Sequence, residues 1–130
     1  MAGGIEIRSA HFPGRAPLDA YGNGGFRFAD MSHVGSILCL PSGIHGWDVV
    51  EGAKLTEADF TRVLKQAGDI EVLLIGMGEG MRVVPAELRA RFKEAGISVD
   101  PMSTGAAVRT YNIMLSESRA VAAALIAVEG

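Results

Sequence analysis

The side chains best suited to binding or catalysis in this 130-residue chain lie in the stretch from Met102 to Leu115. Ser103 and Thr104 stand where a helix should begin, and a hydroxyl at that position caps free backbone N–H groups. The same N–H groups, together with the helix dipole, favour an anionic ligand. Further along the predicted helix come Arg109, Tyr111 and Asn112. This pattern predicts either an anion-binding site or a helix whose small residues allow tight packing on a sheet.

The polar residues of this helix are spaced to lie on one face. Arg109, Asn112 and Ser116 fall at positions i, i+3 and i+7, which predicts a narrow polar stripe. Tyr111 lies off that stripe, and we expect it to be a core aromatic residue whose hydroxyl finds a buried partner. A phenol near its reference pKa of about 10 transfers few protons at neutral pH, so a catalytic role for Tyr111 is disfavoured.

Three glycines follow the most apolar strand candidate, at 70–75: Gly76, Gly78 and Gly80. Loops at the carboxyl ends of such strands commonly bind ligands in α/β proteins, so we expect a candidate site between Gly76–Gly80 and the Ser103/Thr104 helix start. The spacing does not match a dinucleotide fingerprint, because the next helix begins only near Pro85. A tight approach of two backbones is the alternative explanation for the glycines.

No motif for a metal, a cofactor or a nucleophile is present in the sequence. Ser42 lacks a local base, and Cys39 lies in an apolar run with no second cysteine for a disulfide. We therefore expect no cofactor and no catalytic residue, and a reducing, cytoplasmic location. The histidines are scattered without a second ligand at metal spacing: His11, His33 and His45.

Composition and charge narrow the classes of partner. The net charge of −3 and the absence of basic clusters mixed with aromatics disfavour nucleic acid. No stretch approaches the roughly 18 apolar residues that a membrane span requires, and the amino terminus lacks the apolar core of a signal peptide. At 48% apolar residues, the chain should form one domain over 1–130, with a Gly/Pro-rich arm at 1–24 that carries at most an edge strand.

Periodicity and turn signals divide the chain into alternating strands and helices. Trp47 is isolated, and we expect it to pack against the sheet rather than to stack on a ligand. The 70–75 strand should be central in the sheet, and it forms a βαβ unit with the helix and strand that follow. The predicted elements are a hairpin-like pair at 26–28 and 36–40 joined by a connection at 30–35, an extended segment at 44–50, a helix from Thr56 to Gly68, a strand at 70–75, a helix from Pro85 to Gly96, a strand at 97–99, the helix after Ser103, and a last strand at 119–128 whose alanines could instead extend a helix.

These elements predict a three-layer α/β domain with a β-hairpin extension. The chain also resembles the Mth938-like domain family, which includes the mitochondrial complex I assembly factor 3 and bacterial and archaeal relatives of unknown function. The resemblance covers most of the chain, and its most specific block is 103–112 followed by 117–122. Val108 and Met77 depart from the family pattern, in which cysteine and threonine are common at those places. The other matching blocks are 21–28, 35–38, Pro41 with Trp47, and 74–78.

The resemblance implies a three-layer α/β sandwich with a mixed central sheet, and it favours a strand at 119–128. It implies no established catalytic residue, and it implies an assembly role by analogy with the eukaryotic relatives. We therefore expect a non-catalytic accessory domain that binds a protein partner, a homodimer being one form of that binding. The alternative is a small-molecule site, or an enzyme, between Gly76–Gly80 and the Ser103/Thr104 helix start.

Overall fold

The strands of the chain form two separate β-sheets in a computed structural model that describes residues 12–80 and 83–129. The strands in chain order are β1 (Ala20–Gly22), β2 (Gly25–Phe28), β3 (Met31–Val34), β4 (Ser36–Leu40), β5 (Gly43–Trp47), β6 (Val72–Gly76), β7 (Ser98–Met102) and β8 (Val121–Leu125). The smaller sheet is antiparallel and has the order β1-β2-β3. The larger has the order β5-β4-β8-β6-β7, with β4 antiparallel to β5 and β8, and β6 parallel to β7 and β8.

Two layers cover the larger sheet. The helices are α1 (Thr61–Lys65), α2 (Ala86–Glu94) and α3 (Thr104–Ser116). Leu73 belongs to the core under α1 and α2, whereas its neighbour Leu74 belongs to the core shared with α3 and the smaller sheet. Alternate residues of β6 thus face opposite layers, which explains why this strand is almost entirely apolar. The predicted three-layer α/β sandwich with a mixed central sheet is confirmed.

The predicted hairpin between 26–28 and 36–40 is wrong. The segment 30–35, predicted to be a connection, contains β3, which pairs with β2 across a two-residue turn at Ala29-Asp30. Both turn residues have positive φ, 48° and 63°, which matches the twist of a tight hairpin. Such turns normally carry Asn or Gly, so Ala29-Asp30 gave no turn signal in the sequence. The extension is therefore a three-stranded sheet, and β4 belongs to the larger one.

The middle strand of the larger sheet is β8, and the prediction that the 70–75 strand is central is wrong. Every residue from Val121 to Leu125 is buried. Ala122 and Ala124 face α1 and α2, whereas Ala123 faces α3. Small side chains on a strand that is covered on both sides bring the two layers close together. Because alanine favours helices, composition left open whether this segment is a strand or extends a helix. The strand at 119–128 that the resemblance favoured is confirmed.

The connections around α1 and α2 follow the sequence signals in part. α2 links β6 to its parallel neighbour β7, so the βαβ unit is confirmed. The predicted helix from Thr56 to Gly68 is instead two 3₁₀ turns that flank the short α1. Its start is as predicted, because the Asp59 carboxylate accepts a hydrogen bond from the Thr56 backbone N–H at 2.8 Å.

The Gly/Pro-rich arm is attached to the sandwich at two points. Phe12 exchanges backbone hydrogen bonds of 3.0 and 2.9 Å with Ile44 on the outer edge of β5. Further along, the Leu18 backbone is bonded by the side chain of Asn112 on α3. The part of the predicted arm at residues 1–11 lies outside the described residues.

Candidate functional site

The start of α3 is held to the glycine loop by the side chain of Thr104. Ser103 is the N-cap and accepts a hydrogen bond from the Ala106 N–H at 3.3 Å. The buried Thr104 hydroxyl donates to the Ile126 carbonyl at 2.7 Å and accepts from the Gly78 N–H at 3.0 Å. The Thr104 N–H also donates to the Gly78 carbonyl at 2.9 Å. These bonds occupy the polar groups of Thr104 and the backbone of Gly78.

The three predicted loop glycines differ in their surroundings. A Cβ on Gly76 would lie 3.0 Å from the Thr104 Cα and from the Leu125 Cδ2, so the absent side chain permits a close approach of β6 to α3. Gly78 has a φ of +94°, which favours glycine, and it packs against the side chain of Glu51. A Cβ on Gly80 would meet nothing within 4 Å. Tight backbone packing thus accounts for Gly76 and Gly78 but not for Gly80.

The predicted polar stripe of α3 is divided between different roles. Arg109 is exposed, whereas Asn112 is half-buried and bonded to the Leu18 backbone.

Tyr111 is fully buried, but the prediction that its hydroxyl finds a partner is wrong, since that atom has none among the described residues. Burial, together with the nearby Cys39, raises the pKa of Tyr111 above its usual value. Tyr111 is therefore a neutral core residue.

A depression of about 510 Å³ lies beside the start of α3, and we refer to it as the helix-start depression. Three of the predicted site residues line it: Gly78, Ser103 and Arg109. Tyr21 and Glu79 line it as well, so it contains groups of both charges. The other predicted site residues do not line it: Gly76, Gly80, Thr104, Tyr111 and Asn112.

A larger cleft of about 1160 Å³ lies where the two sheets diverge, and we refer to it as the intersheet cleft. One wall is formed by the β1–β2 turn and β3, and the other by the end of β5 and the segment at 48–51. Sequence reasoning missed this cleft because its lining comes from separate segments that share no motif. The one feature of the sequence that points there is an apolar residue, Val34, in the segment predicted to be a connection, and a single valine is a weak signal.

Hydrogen bonds from described residues hold the walls of the intersheet cleft in place. The Ser36 hydroxyl donates to the Val49 carbonyl at 2.6 Å and accepts from the Ala127 N–H at 2.9 Å. The Asn23 N–H donates to the Glu129 carbonyl at 3.0 Å. The cleft is therefore a preformed feature of the fold.

The rim of the intersheet cleft combines apolar and acidic side chains. Val34 and Val50 are 79% and 66% exposed, although valine is among the residue types most often buried. Trp47, at the base, donates from its indole N–H to the Asp59 carbonyl at 2.7 Å, and its ring centroid lies 5.4 Å from that of Phe60. The expectation that Trp47 packs against the sheet holds in part, because Trp47 belongs to β5 itself and its ring packs on Phe60 of the 57–60 turn. The exposed charged residues that line the cleft are Asp48, Glu51, Arg62 and Glu129.

The serine that seemed to lack a base contacts a histidine. The Ser42 hydroxyl lies 2.9 Å from the His45 Nε2 and accepts from the Gln66 Nε2 at 2.7 Å. The Ser42 N–H donates to the Gln66 Oε1 at 3.1 Å, so both ends of that amide are engaged. Ser42 lies on the exposed turn between β4 and β5, where these bonds fix the turn against the residue after α1.

Two classes of site find no support in residues 12–80 and 83–129. No group of three or more His, Cys, Asp or Glu residues there is arranged to hold a metal ion. No helix in those ranges combines the length and the apolar character that a membrane crossing requires.

Two curated proteins are similar to this chain over most of its length. An uncharacterised protein of Rhodobacter capsulatus is 35% identical over 95% of this chain and 94% of its own. Assembly factor 3 of the NADH dehydrogenase [ubiquinone] 1 alpha subcomplex from Mus musculus is 26% identical over 94% of this chain. The alignment spans 66% of the mouse protein, slightly less than two thirds of its length.

Two solved structures share the fold. An outer membrane protein from Bartonella henselae is 62% identical, with a TM-score of 0.88 over 92% of this chain and all of its own. A Bordetella pertussis protein described as a Mth938-like domain is 27% identical, with a TM-score of 0.73 over 86% of this chain and 85% of its own. The model of the family described as proteins of unknown function (DUF498/DUF598) matches residues 18–126. This chain therefore belongs to the DUF498/DUF598 family and has the Mth938-like fold.

Proposed function

We propose that this chain is a non-catalytic accessory or assembly domain that binds a partner protein in the intersheet cleft. The observation that carries the proposal is the exposure of Val34 and Val50 on the rim of a preformed cleft of about 1160 Å³. Covering these side chains with a partner removes apolar surface from water, which is the main favourable term in most protein association. Exposed apolar groups with a polar rim are typical of such surfaces.

The similarity to the mouse assembly factor supports the same function. That protein is described by its name as an assembly factor of a NADH dehydrogenase subcomplex. Assembly factors act by binding other proteins, and the aligned region includes nearly all of this chain. We further propose a cytoplasmic location, which the unpaired and buried Cys39 favours.

Partner capture with matched variants tests this proposal. Wild-type protein, a Val34→Asp/Val50→Asp variant and a Val83→Asp/Ile113→Asp control would be crosslinked in lysate of the source cell and analysed by mass spectrometry. The control residues are also exposed, at 86% and 59%, but they do not line the cleft. We expect one partner that wild type and control retain and that the cleft variant loses. Absence of any partner, or equal retention by the cleft variant, would contradict the proposal.

A homodimer is the second form that this binding can take. Light scattering of purified wild-type protein and of the two double variants measures the molar mass in solution. A dimer that the cleft variant alone loses would identify a second copy of the chain as the partner. A monomer in all three samples would direct the search to a different protein.

Binding of a small anion in the helix-start depression is the second candidate function. Arg109 is exposed there, beside the Ser103 cap of a 13-residue helix whose N-terminal dipole favours negative charge. Thermal-shift and native mass measurements with phosphate and carboxylate compounds would compare Arg109→Ala with an Arg89→Ala control on α2. Stabilisation of wild type that is abolished by Arg109→Ala and not by the control would support this candidate. An enzyme at the same depression would in addition convert the bound compound. No stabilisation of wild type would reject it.

A further inference from the structure

The charge of the intersheet cleft indicates which kind of segment it binds. We infer that its occupant is an extended segment of the partner protein in which lysine or arginine alternates with apolar side chains. This inference rests on the proposed function and adds the chemical class of the partner to it. Its basis is the arrangement of carboxylates and valines on the walls of the cleft.

Among the residues that the structure describes, three carboxylates and one guanidinium line the cleft: Asp48, Glu51, Glu129 and Arg62. None of the ion pairs within residues 12–80 and 83–129 involves any of these four side chains. Within those ranges, therefore, no ion pair neutralises the three carboxylates that line the cleft. Their summed potential attracts a basic segment and repels an acidic one.

The Glu51 carboxylate and the Glu129 backbone are held at fixed places in the cleft wall. One Glu51 oxygen accepts a hydrogen bond from the Glu79 N–H at 2.7 Å. The Glu129 backbone is bonded to Asn23 at 3.0 Å across the cleft end. Groups that are already positioned lose less conformational entropy when a partner binds, so the Glu51 carboxylate is suited to recognise a cation.

The two valines of the cleft determine the apolar part of its complementarity to the bound segment. Val34 lies on the wall formed by the smaller sheet, and Val50 lies on the opposite wall beside Glu51. A segment that runs between the walls therefore meets apolar side chains and carboxylates close to each other. A chain in extended conformation projects successive side chains to opposite sides, so alternating apolar and basic residues satisfy both.

Fluorescence anisotropy with two labelled peptides of equal length tests this inference. One peptide alternates lysine with valine, and the other alternates glutamate with valine. They would be titrated with wild type, with Asp48→Asn/Glu51→Gln/Glu129→Gln, and with a control, Asp69→Asn/Glu71→Gln/Glu87→Gln. All the control residues are exposed and outside the cleft, and both triple variants remove three negative charges. The control therefore separates cleft recognition from general attraction by a net charge of −3.

We expect the lysine peptide to bind wild type and the control equally, and the cleft variant with a Kd about tenfold higher, as the loss of several exposed charge pairs predicts. High salt should remove the difference, and the glutamate peptide should not bind. Equal affinity for all three proteins, or no binding of the lysine peptide to wild type, would overturn the inference. A cellular partner that is lost with Val34→Asp/Val50→Asp but retained by the carboxylate variant would overturn it too, while leaving the proposed function intact.

Discussion

The side-chain amide of Asn112 pairs with the backbone of Leu18 in the way that a neighbouring strand would. Its Oδ1 accepts from the Leu18 N–H at 2.8 Å, and its Nδ2 donates to the Leu18 carbonyl at 2.9 Å. One residue of α3 thereby fixes the segment that enters the smaller sheet, 94 positions earlier in the sequence. This segment leads into β1, and Asn23 at the cleft wall lies in the turn that follows β1, so α3 helps to position this wall of the cleft.

Replacing Asn112 with alanine should destabilise the protein. The substitution leaves a partly buried N–H and a partly buried carbonyl of Leu18 without partners, which should cost about 2 kcal/mol. Urea unfolding measures the change. Ser116→Ala, at the exposed end of the same helix, is the control and should change the free energy of unfolding by less than about 0.5 kcal/mol. A loss as small as that of the control would show that the Asn112 bonds contribute little.

Thr104→Val should cost more than Thr104→Ser. Valine has the shape of threonine but leaves the Gly78 N–H and the Ile126 carbonyl without their bonds to the hydroxyl, which should cost about 2 to 4 kcal/mol. Serine keeps the hydroxyl and loses one buried methyl group, worth about 1 kcal/mol. Chemical unfolding of both variants distinguishes the two effects. The reverse order of stabilities would mean that packing, rather than the hydrogen bonds, joins the loop to α3.

Gly76→Ala and Gly80→Ala should separate two roles within one loop. The added methyl at Gly76 would press on Thr104 and Leu125 at 3.0 Å, and overpacking of this kind costs about 1 to 3 kcal/mol. At Gly80 the methyl meets nothing within 4 Å, so stability should stay within about 0.5 kcal/mol of wild type. Thermal unfolding measures both. An equal loss at the two positions would contradict the close approach between β6 and α3.

Tyr111→Phe should stabilise the protein at neutral pH by about 1 kcal/mol, because it removes a buried hydroxyl that has no partner among the described residues. Burial also raises the pKa of Tyr111 in the folded state above its usual value of 10.0. The folded state therefore binds the phenol proton of Tyr111 more tightly than the unfolded state does. The resulting contribution to stability is complete below about pH 10 and is lost as the pH rises through the folded-state pKa.

The free energy of unfolding of wild type should accordingly fall above about pH 10, and that of Tyr111→Phe should fall less steeply. Urea unfolding at a series of pH values measures both slopes, with Tyr21→Phe, at a residue that is 41% exposed, as the control. Burial also raises the pKa of Cys39 from 9.0, so part of the fall remains in both proteins. Parallel curves for wild type and Tyr111→Phe would show that Tyr111 does not cause the alkaline loss.

Local signals in the sequence were sufficient to predict several helices and strands and the arrangement of the layers. The apolar run at 70–75, the Pro85 helix start and the Ser103 cap each depend on neighbouring residues, because helix caps, turns and burial on both faces leave patterns within a few positions. Family resemblance supplied the mixed sheet and the last strand. The turn at Ala29-Asp30 could not be predicted from the sequence, because its positive φ values are imposed by the hairpin and not by the residue types.

The tertiary structure alone decided where the candidate site residues lie. Arg109 and Asn112 share one face of α3, yet only the packed smaller sheet determines that Asn112 is bonded to Leu18 and that Arg109 stays exposed. The intersheet cleft likewise exists because two sheets diverge after Val34. The sequence by itself determined several of the elements, the layered α/β fold class and the absence of a motif for metal or nucleophile chemistry. Contacts between residues distant in the chain depend on how the layers pack, and no local pattern encodes them.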